Sequence, residues 1–307
     1  MSFTLNNNLT ALYTGKTAND WYSAAFLSSV TVNELQLLSN VKSSIKLNRM
    51  DVANIVQAAD CDFSASGSLT LSHNTLSVCD FKVNAELCIK DFEATFISEQ
   101  MRAGANNSDL PGDFMTYLMG QMAGNVGQWI EQKLWTGDTD ASPNPDECDG
   151  IIKKLSADSA VVDVAAVGGG LSASNIVAEL QKVYNAIPAT VVKTDPRLRI
   201  FMGTAAYGYY LQARAAVATG SGDYFTNGYV NLNFLGIRVI LAPGMPANKM
   251  VAATSDNIAI GTDLVDDFSQ INVIDMRQTT GAPNLRFVGN FKLGVQHKVG
   301  SEIVLYA

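Results

Sequence analysis

A chain of 307 residues, 47% hydrophobic and 16% charged, is long enough to bury a sizeable core in one large domain or two modest ones. Its formal net charge of −8 argues against a protein that grips phosphate backbones over a wide face, because Lys and Arg drive such binding. Charged residues are scarce beside the ~25% usual in soluble proteins, which suits a surface partly covered by partner subunits.

The N-terminus, MSFTLNNNLTALYTGK, lacks a basic start followed by a long apolar segment, so no signal peptide is expected. No stretch of ~18 uninterrupted apolar residues predicts a membrane span. Residues 1–19, rich in Asn and Thr, read as an arm. From Trp21 to Leu47 apolar residues recur at helical spacing (Trp21, Phe26, Val30, Leu35, Leu38), which predicts a helix over part of that stretch. No core lies nearby in sequence, so such an arm has to lie on something else.

Between Leu69 and Ile89 the period becomes two. Phe81, Val83, Ala85, Leu87 and Ile89 alternate with Lys82, Asn84, Glu86, Cys88 and Lys90, the pattern of a half-buried strand. Ahead of it, turn signals at Ser66-Gly67 and His73-Asn74 suggest a long two-stranded excursion. A lone ribbon is marginal in water, so it too needs a neighbour.

The longest predicted helix runs from Pro111 to Trp135, a rod of roughly 36 Å. Pro111 and Asp113 suit its first turn, and Met115, Leu118, Met122, Val126, Trp129 and Ile130 keep to one face. Gly120, Gly124 and Gly127 each cost up to ~1 kcal/mol and leave a groove for another backbone. The chain then breaks into TGDTDASPNPDECDG, residues 136–150, an acidic loop with no base. Asp138 and Asp140 followed by Ser142 and Pro143 do not give a calcium-loop order, and a solvated loop is expected.

Beyond the break, strands and helices mix. Helices are predicted over about 172–187 and 205–218, with strands at 198–203, 236–244, 249–254, 257–262 and 271–276, and a final pair split near Gly300. Gly168, Gly170 and Ala173 loosely imitate G-x-G-x-x-A. A dinucleotide site also needs an acidic residue ~20 positions on, at the tip of the second strand. Asp195 precedes that strand and Glu179 lies inside the helix, so a flexible turn is expected, with Ser172 or Ser174 capping the helix.

Other chemistry is equally thin. Cys61, Cys79, Cys88 and Cys148 show no C-x-x-C spacing and read as reduced, mostly buried thiols. Zinc would need paired cysteines or nearby histidines, and only His73 and His297 exist; both are expected in surface or packing roles. Gly220-Ser221-Gly222 is not a nucleophile elbow, and Lys16 has no P-loop before it. No catalytic, cofactor-binding or metal-binding residue is assigned.

The order of arm, two-stranded excursion, long helix, acidic break and compact α/β part resembles the major capsid proteins of tailed bacteriophages with the Hong Kong 97 fold. The stretches that carry the likeness are LTLSHNTLSVCDFKVNAELCIKDFEATF (69–96), DFMTYLMGQMAGNVGQWIEQKLWTGD (113–138) and LGIRVILAPGMPANKMVAATSDNIAIGTDL (235–264), the last with a G-x-x-V step from Gly236 to Val239. The resemblance covers roughly residues 69–307. It implies an α+β fold with an N-terminal arm at 1–45, an extended loop at 46–85, a spine-helix peripheral domain at 86–155 and 265–295, and an axial domain at 156–264 and 296–307.

It also implies a non-enzymatic shell subunit that self-associates in hexamers and pentamers, with scaffolding, portal and decoration proteins as partners. Such a shell encloses double-stranded DNA without reading its sequence and assembles in the host bacterial cytoplasm. An encapsulin-like compartment shares the fold and would enclose an enzyme instead; an oxidoreductase using the Gly168–Gly170 turn is the third reading. The charged coiled-coil segment that some capsid proteins carry is not seen, and no cross-linking Lys, Asn and Glu can be mapped by motif.

Overall fold

The computed structural model describes residues 11–13, 29–53, 55–58, 66–88, 112–141, 146, 148–217, 232–263, 271–276 and 280–307. Lys16, Trp21, Phe26, Cys61, Ile89, Ser142, Pro143, Gly220–Gly222 and the side chain of Met115 lie outside the described residues.

Helices and sheets are mixed. One six-stranded sheet is built on β13 (Asn284–His297), which pairs antiparallel with β5 (Cys79–Cys88) from Asn284↔Cys88 to Leu293↔Cys79. Its first half also pairs with β12 (Ile271–Asp275) and its last rungs with β11 (Ile258–Gly261). Two short strands end the main path: β1 (Ala11–Tyr13) joins β12, and β2 (Gln36–Leu38) runs parallel to β11.

A second six-stranded sheet has the order β6 (Val162–Val164), β14 (Val304–Tyr306), β10 (Met250–Thr254), β7 (Leu198–Met202), β9 (Ile237–Leu241) and β8 (Asn233–Phe234). Alternate residues serve different layers. Met250 and Ala252 face α4 (Ile176–Ala186) and α5 (Thr204–Val217), whereas Val251 and Ala253 join the core shared with the first sheet. Burial on both faces explains why these strands read as near-continuous apolar runs.

The long helix is α2 (Gly112–Thr136), close to the span predicted. Ile130, Leu134 and Trp135 are buried in the shared core, and Leu118, Met122, Val126 and Trp129 pack against it. The 3.6-residue spacing therefore marked the inner face correctly. In β5, Phe81, Val83 and Leu87 pack on the same core while Lys82, Asn84 and Glu86 are exposed.

The helix expected over part of 21–47 is α1 (Val30–Glu34); beyond it Leu38 ends β2 and Leu47 lies in β3 (Ser44–Ala53). Strand pairing with distant segments overrode a helical spacing that was locally plausible. His73-Asn74 is no turn but the middle of β4 (Ser68–Ser77), opposite Asn48 and Leu47.

The Gly168–Gly170 turn is real, with φ of 101° at Gly169 and 83° at Gly170, which only glycine adopts without strain. Neither Ser172 nor Ser174 caps α4. Instead Asn175 holds the turn, its side chain accepting from Ser172 N at 2.8 Å and donating to Gly170 O at 3.0 Å. A dinucleotide unit also needs its two strands side by side, yet β6 pairs with β14 and β7 with β10 and β9.

The cysteines are corrected too. Cys79 and Cys148 form a disulfide, with Cα atoms 6.0 Å apart, while Cys88 is free. Their sequence separation of 69 residues gave no spacing signal.

Candidate assembly surface

β3 and β4 pair with each other from Ser44↔Ser77 to Ala53↔Ser68, forming a two-stranded ribbon outside both sheets. Directly opposed residues share a face, and successive residues alternate between faces. At the root, Leu47 and Leu76 lie on one face and are buried against Ala259, with Leu38 packed alongside. Toward the tip the apolar residues change sides. Met50 opposes Leu71 and Val52 opposes Leu69, all on the other face.

These four are 61%, 69%, 47% and 67% exposed respectively. Ile55 and Val56, just beyond β3, are exposed as well. An apolar face of this kind on a two-stranded ribbon has no layer against it among the described residues, and such faces mark interaction sites.

The root is pinned tightly. Asn74 Nδ2 donates to the carbonyls of His297 at 3.0 Å and Lys298 at 3.4 Å. Gln296 Nε2 donates to Thr75 O at 3.3 Å, and Val78 N to Ser43 O at 3.0 Å. Gly294 lies so close that a Cβ there would collide with the Ser77 carbonyl.

Behind the ribbon, α1 is tied to α2 through a buried carboxylate. Glu131 accepts hydrogen bonds from Ser29 Oγ, from Thr31 N at 2.9 Å and from Thr31 Oγ1 at 2.5 Å. Trp135 Nε1 donates to Thr31 Oγ1 at 2.7 Å, closing the network. The close backbone approach expected at the helix glycines occurs at the facing turn: a Cβ on Gly244 would overlap the Glu131 and Gln132 backbone, whereas Cβ atoms on Gly120 and Gly124 would meet nothing.

The acidic loop after α2 is solvated in part, with the Asp140 side chain 86% exposed, and the flanking helices supply the bases its own sequence lacks. Lys153 on α3 (Ile151–Ala157) bridges Asp138, Asp140 at 2.7 Å and Asp149 at 3.2 Å, and Lys133 on α2 meets Asp146 at 2.5 Å. Burial works to raise the Asp149 carboxyl. Hydrogen bonds from Thr139 N and Oγ1 and from Lys153 outweigh it and hold the group down to about 2. Hydrogen bonds to Asp138 and Asp140 raise Lys153.

His297 is buried, with Nε2 2.7 Å from Asp158 Oδ2 and no hydrogen-bond partner for Nδ1 among the described residues. His73 is exposed on β4. Tyr306 OH donates to buried Glu179 at 3.0 Å and accepts from Val167 N at 2.9 Å, beside the glycine turn. Among the described residues no three His, Cys, Asp or Glu side chains form a metal-ligand set, and no helix is long and apolar enough to cross a membrane. The ribbon root, the Glu131 network and the disulfide join residues far apart in sequence and gave no local signal. The tip pairs did leave one, in the apolar alternation of Leu69 with Leu71 and Met50 with Val52.

No family model and no curated protein sequence matches this chain. Solved structures do. The capsid of an empty GTA particle is 14% identical over 91% of this chain and 89% of its own, with a TM-score of 0.59. The satellite phage P4 procapsid including the size determination (Sid) protein is 12% identical over 92% and 96%, at 0.58. The capsid of the Myoviridae phage XM1 is 13% identical over 100% and 94%, at 0.56. At these identities the likeness lies in the path of the backbone, and over nearly its whole length this chain has the fold of phage capsid proteins.

Proposed function

We propose that this chain is the major capsid protein of a tailed double-stranded DNA bacteriophage, self-assembling through hexamers and pentamers into an icosahedral shell. The fold supports the reading, and the observation that carries it is the ribbon, fixed at its root and apolar on the opposite face at its tip. A second copy would supply the missing layer, following the closure logic of symmetric homo-oligomers. The same reading divides the chain into an arm at 1–45, an extended loop at 46–85, a peripheral domain at 86–155 and 265–295, and an axial domain at 156–264 and 296–307. The role is structural rather than enzymatic. Scaffolding, portal and decoration proteins are the expected partners, with assembly in the host cytoplasm and final residence in the virion. A net charge of −8 fits a wall around enclosed DNA better than a surface that recruits DNA.

The test is expression of the chain, alone and with its neighbouring genes, followed by sedimentation and electron microscopy. Megadalton rings, sheets or spheres support the shell. A discrete dimer or tetramer with bound nicotinamide or flavin overturns it, and closed shells filled with a host enzyme instead of DNA move the assignment to a cellular compartment.

A further inference from the structure

Cys79 opens β5 two residues after the ribbon strand β4 ends, and Cys148 sits in the loop between α2 and α3. Cys148 Sγ lies 3.5 Å from the carbonyl oxygen of Leu293, the residue paired with Cys79 in the β5–β13 ladder. The bond thus crosses from the rung at the ribbon root to the exit of the long helix. The root has its own hydrogen bonds and buried leucines, and Leu134 near the helix exit shares a core with Leu293, so the root can form before the bond does.

Both cysteines are only half-buried. Cys148 also lines an open cavity of about 130 Å³ together with Phe81, Trp129, Lys133, Asp146 and Asp149. That opening gives a small thiol or disulfide a route to the sulfur, which a bond sealed in a core would lack. Four cysteines in 307 residues, with one of the described three unpaired, is not the pattern of a fold that depends on disulfides.

We propose that Cys79 and Cys148 are an oxidation-controlled lock on the ribbon root, open as dithiols while copies assemble in a reducing cytosol and closed in particles released from it. The timing rests on the capsid reading; the lock itself does not. The co-reactant is an oxidised low-molecular-weight disulfide such as glutathione disulfide. The Cys148 thiolate attacks one of its sulfurs, forming a mixed disulfide and expelling one thiolate. Cys79 thiolate then attacks the Cys148 sulfur and expels the second. Two protein thiols lose two protons and two electrons, one S–S bond forms, and the small disulfide is reduced to two thiols. Closing a loop across 69 residues of sequence restricts the unfolded chain far more than the already ordered root.

The test begins with N-ethylmaleimide added to intact producing cells and, separately, to purified particles before and after glutathione disulfide, with each cysteine read by peptide mass spectrometry. Cys79 and Cys148 are expected alkylated in cells and bonded in oxidised particles, while Cys88, exposed by denaturation, is alkylated in both. Phosphine reduction is expected to lower the melting temperature of oxidised particles by roughly 5 °C or more. It should not change that of a Cys79→Ser, Cys148→Ser double variant. If that variant fails to fold, the comparison of wild-type particles with and without phosphine decides. Thiols that stay alkylatable after oxidant, a bond already complete inside the cell, or melting indifferent to phosphine each overturn the switch. If no shell forms, the capsid reading falls, and the same alkylation and melting measurements on the discrete chain still judge the lock.

Discussion

Met50 faces Leu71 across the β3–β4 ladder, on the opposite side of the ribbon from Leu47. One strand thus sends its root leucine into its own body and its tip methionine outward. Met50→Asp with Leu71→Asp places two like charges directly opposite each other at positions that are mostly exposed. Little of the subunit's own fold depends on these side chains, so melting of the isolated chain should shift by no more than about 1 kcal/mol equivalent. Assembly, read by sedimentation, should be lost. Normal shells from the double variant would remove the tip from the interface.

The root should behave in the opposite way. Leu76→Ala empties a fully buried site packed against Ala259 and Gly261. A Leu→Ala change of this kind costs about 2–5 kcal/mol. Gly294→Ala acts on the same joint by pushing the Ser77 carbonyl away from β13. Both should speed proteolysis between residues 44 and 77 in the free chain, ahead of cleavage in the second sheet. Equal protection of wild type and variants would mean that the root is held by something else.

Asp149 gives a pH dependence whose sign is fixed. Its folded carboxyl sits at about 2, below the ~3.9 of an unfolded Asp, so its contribution is complete above about pH 4 and fades as pH falls toward 2. Asp158 is also lowered, first by the hydrogen bond from Ala160 N and then by His297, and adds loss in the same direction. Melting temperature measured from pH 5 to pH 2 should fall less steeply for Asp149→Asn than for wild type. Parallel curves would show that the Thr139 and Lys153 contacts do not stabilise the charged form.

What the sequence could reveal was whatever repeats locally. Leu118, Met122, Val126 and Trp129 announced the inner face of α2, and Phe81, Val83 and Leu87 that of β5, because burial imposes periods of 3.6 and 2 on neighbours in sequence. In the second sheet β7, β9, β10 and β14 were legible, whereas the short strands β6 and β8 and the strand order were not. β14 sits between β6 and β10 by pairings that span more than 50 residues on either side, and nothing in VLY announces a partner. A two-stranded excursion was expected, but the pairing of β3 with β4 was hidden for a related reason. Leu35 and Leu38 fit one helical spacing, yet Leu35 caps α1, Leu38 pairs with β11 and Leu47 with β4. The face switch needs register, which a single strand does not carry.

The same long-range character makes Glu131 the sharpest probe of how α1 is held to α2. Its buried carboxylate takes three donors, from Ser29 Oγ, Thr31 N and Thr31 Oγ1, about 100 residues away in sequence. Glu131→Gln keeps one oxygen for Ser29 and the Thr31 amide, while its NH2 group can donate to Thr31 Oγ1 if that hydroxyl turns its own proton elsewhere. The loss is then about 1 kcal/mol, that of a charge-assisted hydrogen bond made neutral. Glu131→Ala strands a backbone N–H and two hydroxyls in a space with little water. It should cost about 3 kcal/mol or more, and it leaves the Trp135 Nε1 bond to Thr31 Oγ1 without the carboxylate that holds Thr31 in place. Trp135 reports the difference directly. Its fluorescence should shift to the red in the Ala variant well below the melting temperature and stay near wild type in the Gln variant. Two variants of equal stability and equal emission would mean that Trp135 and the core around it, not the carboxylate, hold α1 in place.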